Sequence, residues 1–144
     1  MEIRKVAVIG GGTMGNGIAH VFAMKGFEVY LTEMDEDLYK RAMNIISGNL
    51  DRQLKKQVIT EDEKRQTLSK INKVIGVENV PSDINLIIEA IFENKDVKLT
   101  IFKQLENQIN HDCIFASNTS SISITELSAV CRPDKFIGMH FMNP

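Results

Sequence analysis

The sequence predicts an α/β protein built on a doubly wound, mainly parallel sheet. Three observations predict it. Short apolar runs alternate with longer amphipathic segments along the chain. The first run, Val6-Ala7-Val8-Ile9, leads straight into Gly10-Gly11-Gly12-Thr13-Met14-Gly15, with a helical pattern behind it. The second run, Phe27 to Thr32, ends at an acidic residue, Glu33. Continuous apolar strands with helices between them imply a parallel sheet covered on both faces.

The glycine stretch reads G-x-G-x-x-G in the strand–turn–helix setting of a Rossmann-type fold. Gly10 allows the tight turn, Gly12 lets a pyrophosphate approach the backbone, and Gly15 lets the helix pack close to the strand. The helix N-terminus then offers free N–H groups and a partial positive charge to phosphates. Glycine-rich turns are common, so Glu33 carries the next step. An acid at the end of the second strand can accept hydrogen bonds from the ribose hydroxyls of NAD and repels the extra phosphate of NADP. NAD is therefore the expected cofactor; an ordinary solvated charge before a helix is the alternative for Glu33.

Later elements follow in order. Leu38, Ala42, Ile46, Leu50, Leu54 and Val58 recur every four residues with Ile45 beside them, which marks one face of a long helix. Thr60-Glu61-Asp62-Glu63 has capping-box spacing and starts a second helix, so a helical hairpin over about 35–71 joins strands two and three. Lys73 to Val77 is the third strand and Ile84 to Ile91 the fourth. A helix over about Lys95 to Gln108 follows, with Val97, Leu99, Ile101, Phe102 and Leu105 as its apolar side. Cys113 to Asn118 is the fifth strand. A helix opens at Ser123, where Ser123-Ile124-Thr125-Glu126 is again a capping box, and Phe136 to Phe141 is the sixth strand.

Composition bounds the function. The chain has 144 residues, one domain spanning 1–144, with 43% hydrophobic and 25% charged residues and a formal net charge of −2. That balance excludes a disordered chain and argues against nucleic-acid or membrane binding. No apolar stretch reaches the ~20 residues of a membrane span. A strand begins almost at the N-terminus, which leaves no room for a signal peptide. Cys113 and Cys131 match no metal spacing, so no metal site and a reducing, cytoplasmic location are expected.

Four stretches carry a family resemblance: the glycine turn with Thr13-Met14, Glu89-Ala90-Ile91-Phe92-Glu93-Asn94, Ser117-Asn118-Thr119-Ser120-Ser121, and His140-Phe141-Met142-Asn143-Pro144. In this order they resemble the NAD-binding half of the L-3-hydroxyacyl-CoA dehydrogenase family, and within it the bacterial 3-hydroxybutyryl-CoA branch. The resemblance covers nearly the whole chain, and its last two stretches are far more specific than the glycine turn.

The resemblance implies reversible, NAD-linked oxidation of a 3-hydroxyacyl-CoA to a 3-ketoacyl-CoA, in fatty-acid or butyrate metabolism. It implies that His140 is the general base, a role suited to an imidazole whose ordinary pKa is ~6.5. It implies that Ser120 binds both substrate and cofactor. Cofactor contacts are implied for Gly10, Gly12, Thr13, Met14, Gly15, Glu33, Ala90, Ile91, Glu93, Lys98, Ser120 and Asn143. Lys56 matches the family's CoA-phosphate lysine, with Asn49 beside it where some members have serine. The family also has a helical C-terminal domain, a carboxylate partner for the histidine and a homodimer; the first two lie past Pro144 in its members, so the chain alone is expected to be poorly active.

Local alternatives remain. The serine cluster can simply cap a helix, Glu93 and Lys98 can be solvated charges, and Asn49, Arg52 and Lys56 can be a solvated helix face. His20 and His111 have no local partner and are assigned no chemistry. Competing readings of function are a non-catalytic NAD(H)-sensing module and a Rossmann dehydrogenase of a non-CoA hydroxy acid.

Overall fold

The β-branched and apolar runs form six strands: β1 (Lys5–Ile9), β2 (Glu28–Glu33), β3 (Ile71–Ile75), β4 (Leu86–Glu89), β5 (Ile114–Ser117) and β6 (Phe136–Gly138). The computed structural model describes residues 1–142. All five pairings are parallel and the sheet order is β3-β2-β1-β4-β5-β6. The chain runs outward from β1 to β3 and then returns to build β4 to β6 on the other side. The carboxyl ends of β1 and β4 therefore flank the topological switch point, where ligands bind in such sheets.

Five helices cover the sheet: α1 (Thr13–Met24), α2 (Glu36–Lys55), α3 (Glu61–Ser69), α4 (Lys95–Gln108) and α5 (Ile124–Ser128). Alternation along β1 sends Val6 and Val8 to one face and Ala7 and Ile9 to the other. The first face packs Val29, Leu31 and Ile88 against Ile18 of α1 and Ala42, Ile46 and Leu50 of α2. The second packs Ile87 and Phe115 against Phe102 and Leu105 of α4 and Leu127 of α5. Each fully buried valine, leucine, isoleucine or phenylalanine among these contributes about 1.5–3 kcal/mol. On the first face the outer part of β4–β6 carries no helix, and Leu86, Ile114, Ile137 and Met139 line an open apolar groove of about 800 Å³ with Met1 and Ile3.

Several expectations are corrected. β3 begins at Ile71 and stops at Ile75, because Gly76 turns the chain with φ +83°. β4 and β6 are shorter than their apolar runs. On α2 the expected stripe holds at Ala42, Ile46 and Leu50, but Ile45 and Val58 are exposed. A four-residue repeat drifts by about 40° per step on a 3.6-residue helix, and α2 ends at Lys55, before Val58 is reached.

The caps explain the helix starts. Thr60 and Glu63 form the complete reciprocal box at α3. At α5 only half a box forms: Ser123 accepts from the Glu126 N–H, while the Glu126 carboxylate reaches across to Lys95 at 2.6 Å. Arg132 is a structural anchor that the sequence did not disclose. It is buried, donates to the carbonyls of Asn110, Cys113 and Ile109, pairs with Glu106 at 2.7 Å and stacks over Phe115.

Candidate functional site

The site begins where β1 turns into α1. Gly10 sits at φ +97°, and a Cβ on Gly15 would lie 1.7 Å from the Gly10 carbonyl oxygen. Any side chain at position 15 would push the helix off the turn. A Cβ on Gly12 would meet nothing within 4 Å, so the backbone there faces open space. The N-caps of α2, α3, α4 and α5 are the side chains of Asp35, Thr60, Asn94 and Ser123. At α1 the cap is Gly12, with no side-chain acceptor and no acidic residue in the first turn. The first N–H groups of α1 thus lack side-chain acceptors, and the space before them is clear. An uncapped helix end behind a glycine turn fits a pyrophosphate.

Glu33 closes the β2 side of this turn. One carboxylate oxygen accepts the Gly11 N–H, and the other accepts from the Met34 N–H at 3.3 Å. The acid therefore stands beside the turn, where an adenosine ribose would lie.

On the β4 side a groove of about 620 Å³ runs from Gly12, Thr13 and Met14 past Ala90, Ile91 and Glu93 to Asn118, Ser120 and His140. These residues come from beyond the ends of four strands, β1, β4, β5 and β6, and span more than 100 positions in the chain. Ser120 and His140 are both exposed. His140 lies two residues beyond β6, in the region where the sixth strand was expected to continue. Among the described residues its imidazole makes no hydrogen bond. The Asn118 side-chain oxygen accepts the Phe141 N–H at 2.8 Å and ties the histidine segment to the end of β5.

Beneath the groove lies a charged network. Glu89, at the end of β4, is 0% exposed, and Lys98, on the first turns of α4, is 1% exposed. The Lys98 ammonium donates to both oxygens of Glu89, at 3.0 and 2.8 Å, and pairs with Glu93 at 2.8 Å. Glu89 also accepts from the Ser117 hydroxyl at 2.6 Å and the Ile91 N–H at 2.8 Å. Glu93 accepts from the hydroxyls of Thr119 and Ser121, each at 2.7 Å. Partial burial pushes the Glu93 carboxyl pKa up, but Lys98, Thr119 and Ser121 outweigh it and hold the pKa down at about 2.

Of the residues singled out from the sequence, the groove unites Gly12, Thr13, Met14, Ala90, Ile91, Glu93, Ser120 and His140. Gly10 and Gly15 shape the turn from within. Lys98 is buried under the groove wall, so for it the solvated-charge alternative fails. Asn49 and Lys56 lie on α2 and its C-cap, outside the groove, with Asn49 accepting from Arg52 and Lys56 exposed. Asn143 lies outside the described residues. Cys113 is buried, which pushes its thiol up to about 12 and makes it inert at neutral pH. No cluster of His, Cys, Asp or Glu among the described residues could hold a metal ion. Among the described residues no helix is long and apolar enough to cross a membrane.

Sequence reading missed Glu89, Ser117 and Thr119. A signal for Glu89 existed. An acid inside an apolar run, Leu86-Ile87-Ile88-Glu89-Ala90-Ile91, must find a cation or donors if the run is buried.

Comparison with known proteins agrees with this geometry. Residues 5–144 match the family model described as 3-hydroxyacyl-CoA dehydrogenase, NAD binding domain. The chain is 48% identical over 143 residues to a 3-hydroxybutyryl-CoA dehydrogenase of Bradyrhizobium diazoefficiens, covering 99% of this chain and 48% of that one. It is 38% identical to a fatty acid oxidation complex subunit alpha of Psychrobacter cryohalolentis, of which it covers 20%. Its fold superposes with a TM-score of 0.95 on the crystal structure of an (S)-3-hydroxybutyryl-CoA dehydrogenase from Ralstonia eutropha, at 41% identity, covering 99% of this chain and 50% of that one. The chain thus spans about half the length or less of these relatives. With a turn and an uncapped helix that fit its phosphates, the cofactor is NAD, and the chain belongs to the family of 3-hydroxyacyl-CoA dehydrogenase NAD binding domains.

Proposed function

We propose that this chain is the NAD-binding part of an enzyme that interconverts an (S)-3-hydroxyacyl-CoA, of the 3-hydroxybutyryl type, and the 3-ketoacyl-CoA. The observation that carries the reading is the groove. It joins the phosphate-binding end of α1 to a serine and a histidine at the ends of β5 and β6.

NAD, when bound, supplies the acceptor for the hydride leaving carbon 3. The chain's residues do the rest. The α1 N-terminus and Gly12 hold the phosphates, and Glu33 holds the adenosine ribose and selects against a 2′-phosphate. Gly10, Gly15, Ala90 and Ile91 shape the cofactor's bed. The Ser120 hydroxyl donates a hydrogen bond to the oxygen on carbon 3 and keeps it directed at the imidazole. His140 takes the hydroxyl proton as the hydride departs, and returns it in the reverse direction. Glu93 faces the nicotinamide half, and Lys98 holds Glu93 from below. Asn143 adds a further cofactor contact. Lys56, with Asn49, takes the ribose phosphate of CoA as a point charge. The complete enzyme is proposed to be a cytoplasmic homodimer.

The test is direct. NADH fluorescence titration should show saturable binding that is lost in Gly12→Asp, and NADPH should bind far more weakly. Affinity for CoA that falls in Lys56→Ala supports the acyl-CoA substrate. CoA binding that ignores Lys56 removes Lys56 from the CoA site, and no CoA binding at all turns the reading toward a hydroxy acid without CoA.

A further inference from the structure

The sheet order runs β2, β1, β4, β5, β6, so Glu33, Gly12, Glu93, Ser120 and His140 follow one another along the carboxyl edge. With the phosphates at Gly12 and the adenosine at Glu33, the nicotinamide ring falls on the β4 side, beside Glu93. The charge there does not cancel. Two carboxylates, Glu89 and Glu93, share one ammonium, that of Lys98. Glu89 takes Lys98 with both oxygens, deep in the core, while the Glu93 side chain is 43% exposed and lines the groove. The other donors to Glu93, Thr119 and Ser121, are hydroxyls and bring no charge. No lysine or arginine is among the described residues lining the groove, and His140 is the other titratable group there. The carboxylate is also held in place, since both of its oxygens are engaged by groups on α4 and on the loop after β5.

We infer that Glu93 makes this site discriminate between the two redox forms of its cofactor, favouring the oxidised, cationic nicotinamide over the reduced, neutral one. The inference rests on the reading of the groove given above and adds to it a direction of electrostatic bias. A fixed negative charge beside the ring would attract a pyridinium and be indifferent to a dihydropyridine. At a partly exposed position this attraction is screened by salt.

The experiment measures the dissociation constants of NAD and NADH for the purified chain by calorimetry and fluorescence, in low salt and in about 1 M salt. Glu93→Gln keeps the shape and can still accept from Thr119 and Ser121. It should raise the ratio of the NAD constant to the NADH constant by about three- to tenfold in low salt, and by much less in high salt. Glu93→Asp keeps the charge and should leave the ratio within about twofold of the parent, whatever it does to both affinities together. If Glu93→Gln weakens both forms equally, or neither, the charge bias is overturned while the groove stands as the cofactor site. If the unaltered chain binds neither form, both readings fall together.

Discussion

The Lys98 ammonium lies 2.8 and 3.0 Å from the two carboxylate oxygens of Glu89, with neither side chain more than 1% exposed. A pair this deep is costly to break from one side, because the partner left behind is an uncompensated buried charge. Lys98→Met should therefore destabilise the chain by about 3–5 kcal/mol in urea unfolding. The double variant Glu89→Leu with Lys98→Met should recover part of that loss, since both charges leave together. A single-variant cost near zero would mean that the pair is not buried in solution.

The two glycines that bracket the proposed phosphate site should separate fold from binding. Gly15→Ala places a methyl group against the Gly10 carbonyl, and it should cost about 3 kcal/mol or more. Gly12→Ala enters open space and should cost less than about 1 kcal/mol, the difference between glycine and alanine at an N-cap. Yet it should weaken NADH binding at least about tenfold, by occupying the path of the phosphates. Thermal unfolding and NADH titration on the same two variants read the contrast.

His140→Asn should leave NADH affinity near that of the parent while lowering the turnover of acetoacetyl-CoA by about 10²–10⁴-fold in a protein that carries the complete cleft. Ser120→Ala should lower turnover in the same assay. The chain of 144 residues should itself turn over slowly, because among the described residues no carboxylate orients the His140 imidazole. Steady-state turnover near that of a full-length relative would refute this.

His20 gives a pH prediction away from the site. It is buried between α1 and α2, and burial lowers its pKa from 6.5, partly offset by Gln53. The fold therefore favours the neutral imidazole. The contribution is fully present above about 6.5 and is lost as the pH falls below it, because the unfolded chain takes up the proton first. Urea midpoints should decline from pH 7 to pH 5, and His20→Gln should flatten that decline.

Legibility from sequence was uneven for physical reasons. α4 was read at Lys95 to Gln108 and found there, because Asn94 caps its start and the apolar side repeats at helical spacing. The start of α3 was equally plain, since both halves of a capping box lie within four residues. The reach of β6 and the stripe on α2 were misjudged. An apolar run does not state where pairing stops, and a four-residue repeat does not state where a helix ends. In the site, Gly12, Glu33, Ser120 and His140 stood out through their setting or their motif. Glu89, Ser117 and Thr119 did not, because their importance lies in partners 9 to 28 residues away.

By itself the sequence determined the α/β class, the glycine turn after the first strand, the acid at the end of the second and the residue types able to move a proton. These are local properties: periodicity, glycine spacing, caps and side-chain chemistry. The tertiary structure decided the strand order, and with it that Gly12, Glu93, Ser120 and His140 share one groove. It also decided that Glu89 and Glu93 share one lysine. Strand neighbours and charge partners are chosen by contacts between distant segments, so a local pattern names the participants and only folding brings them together.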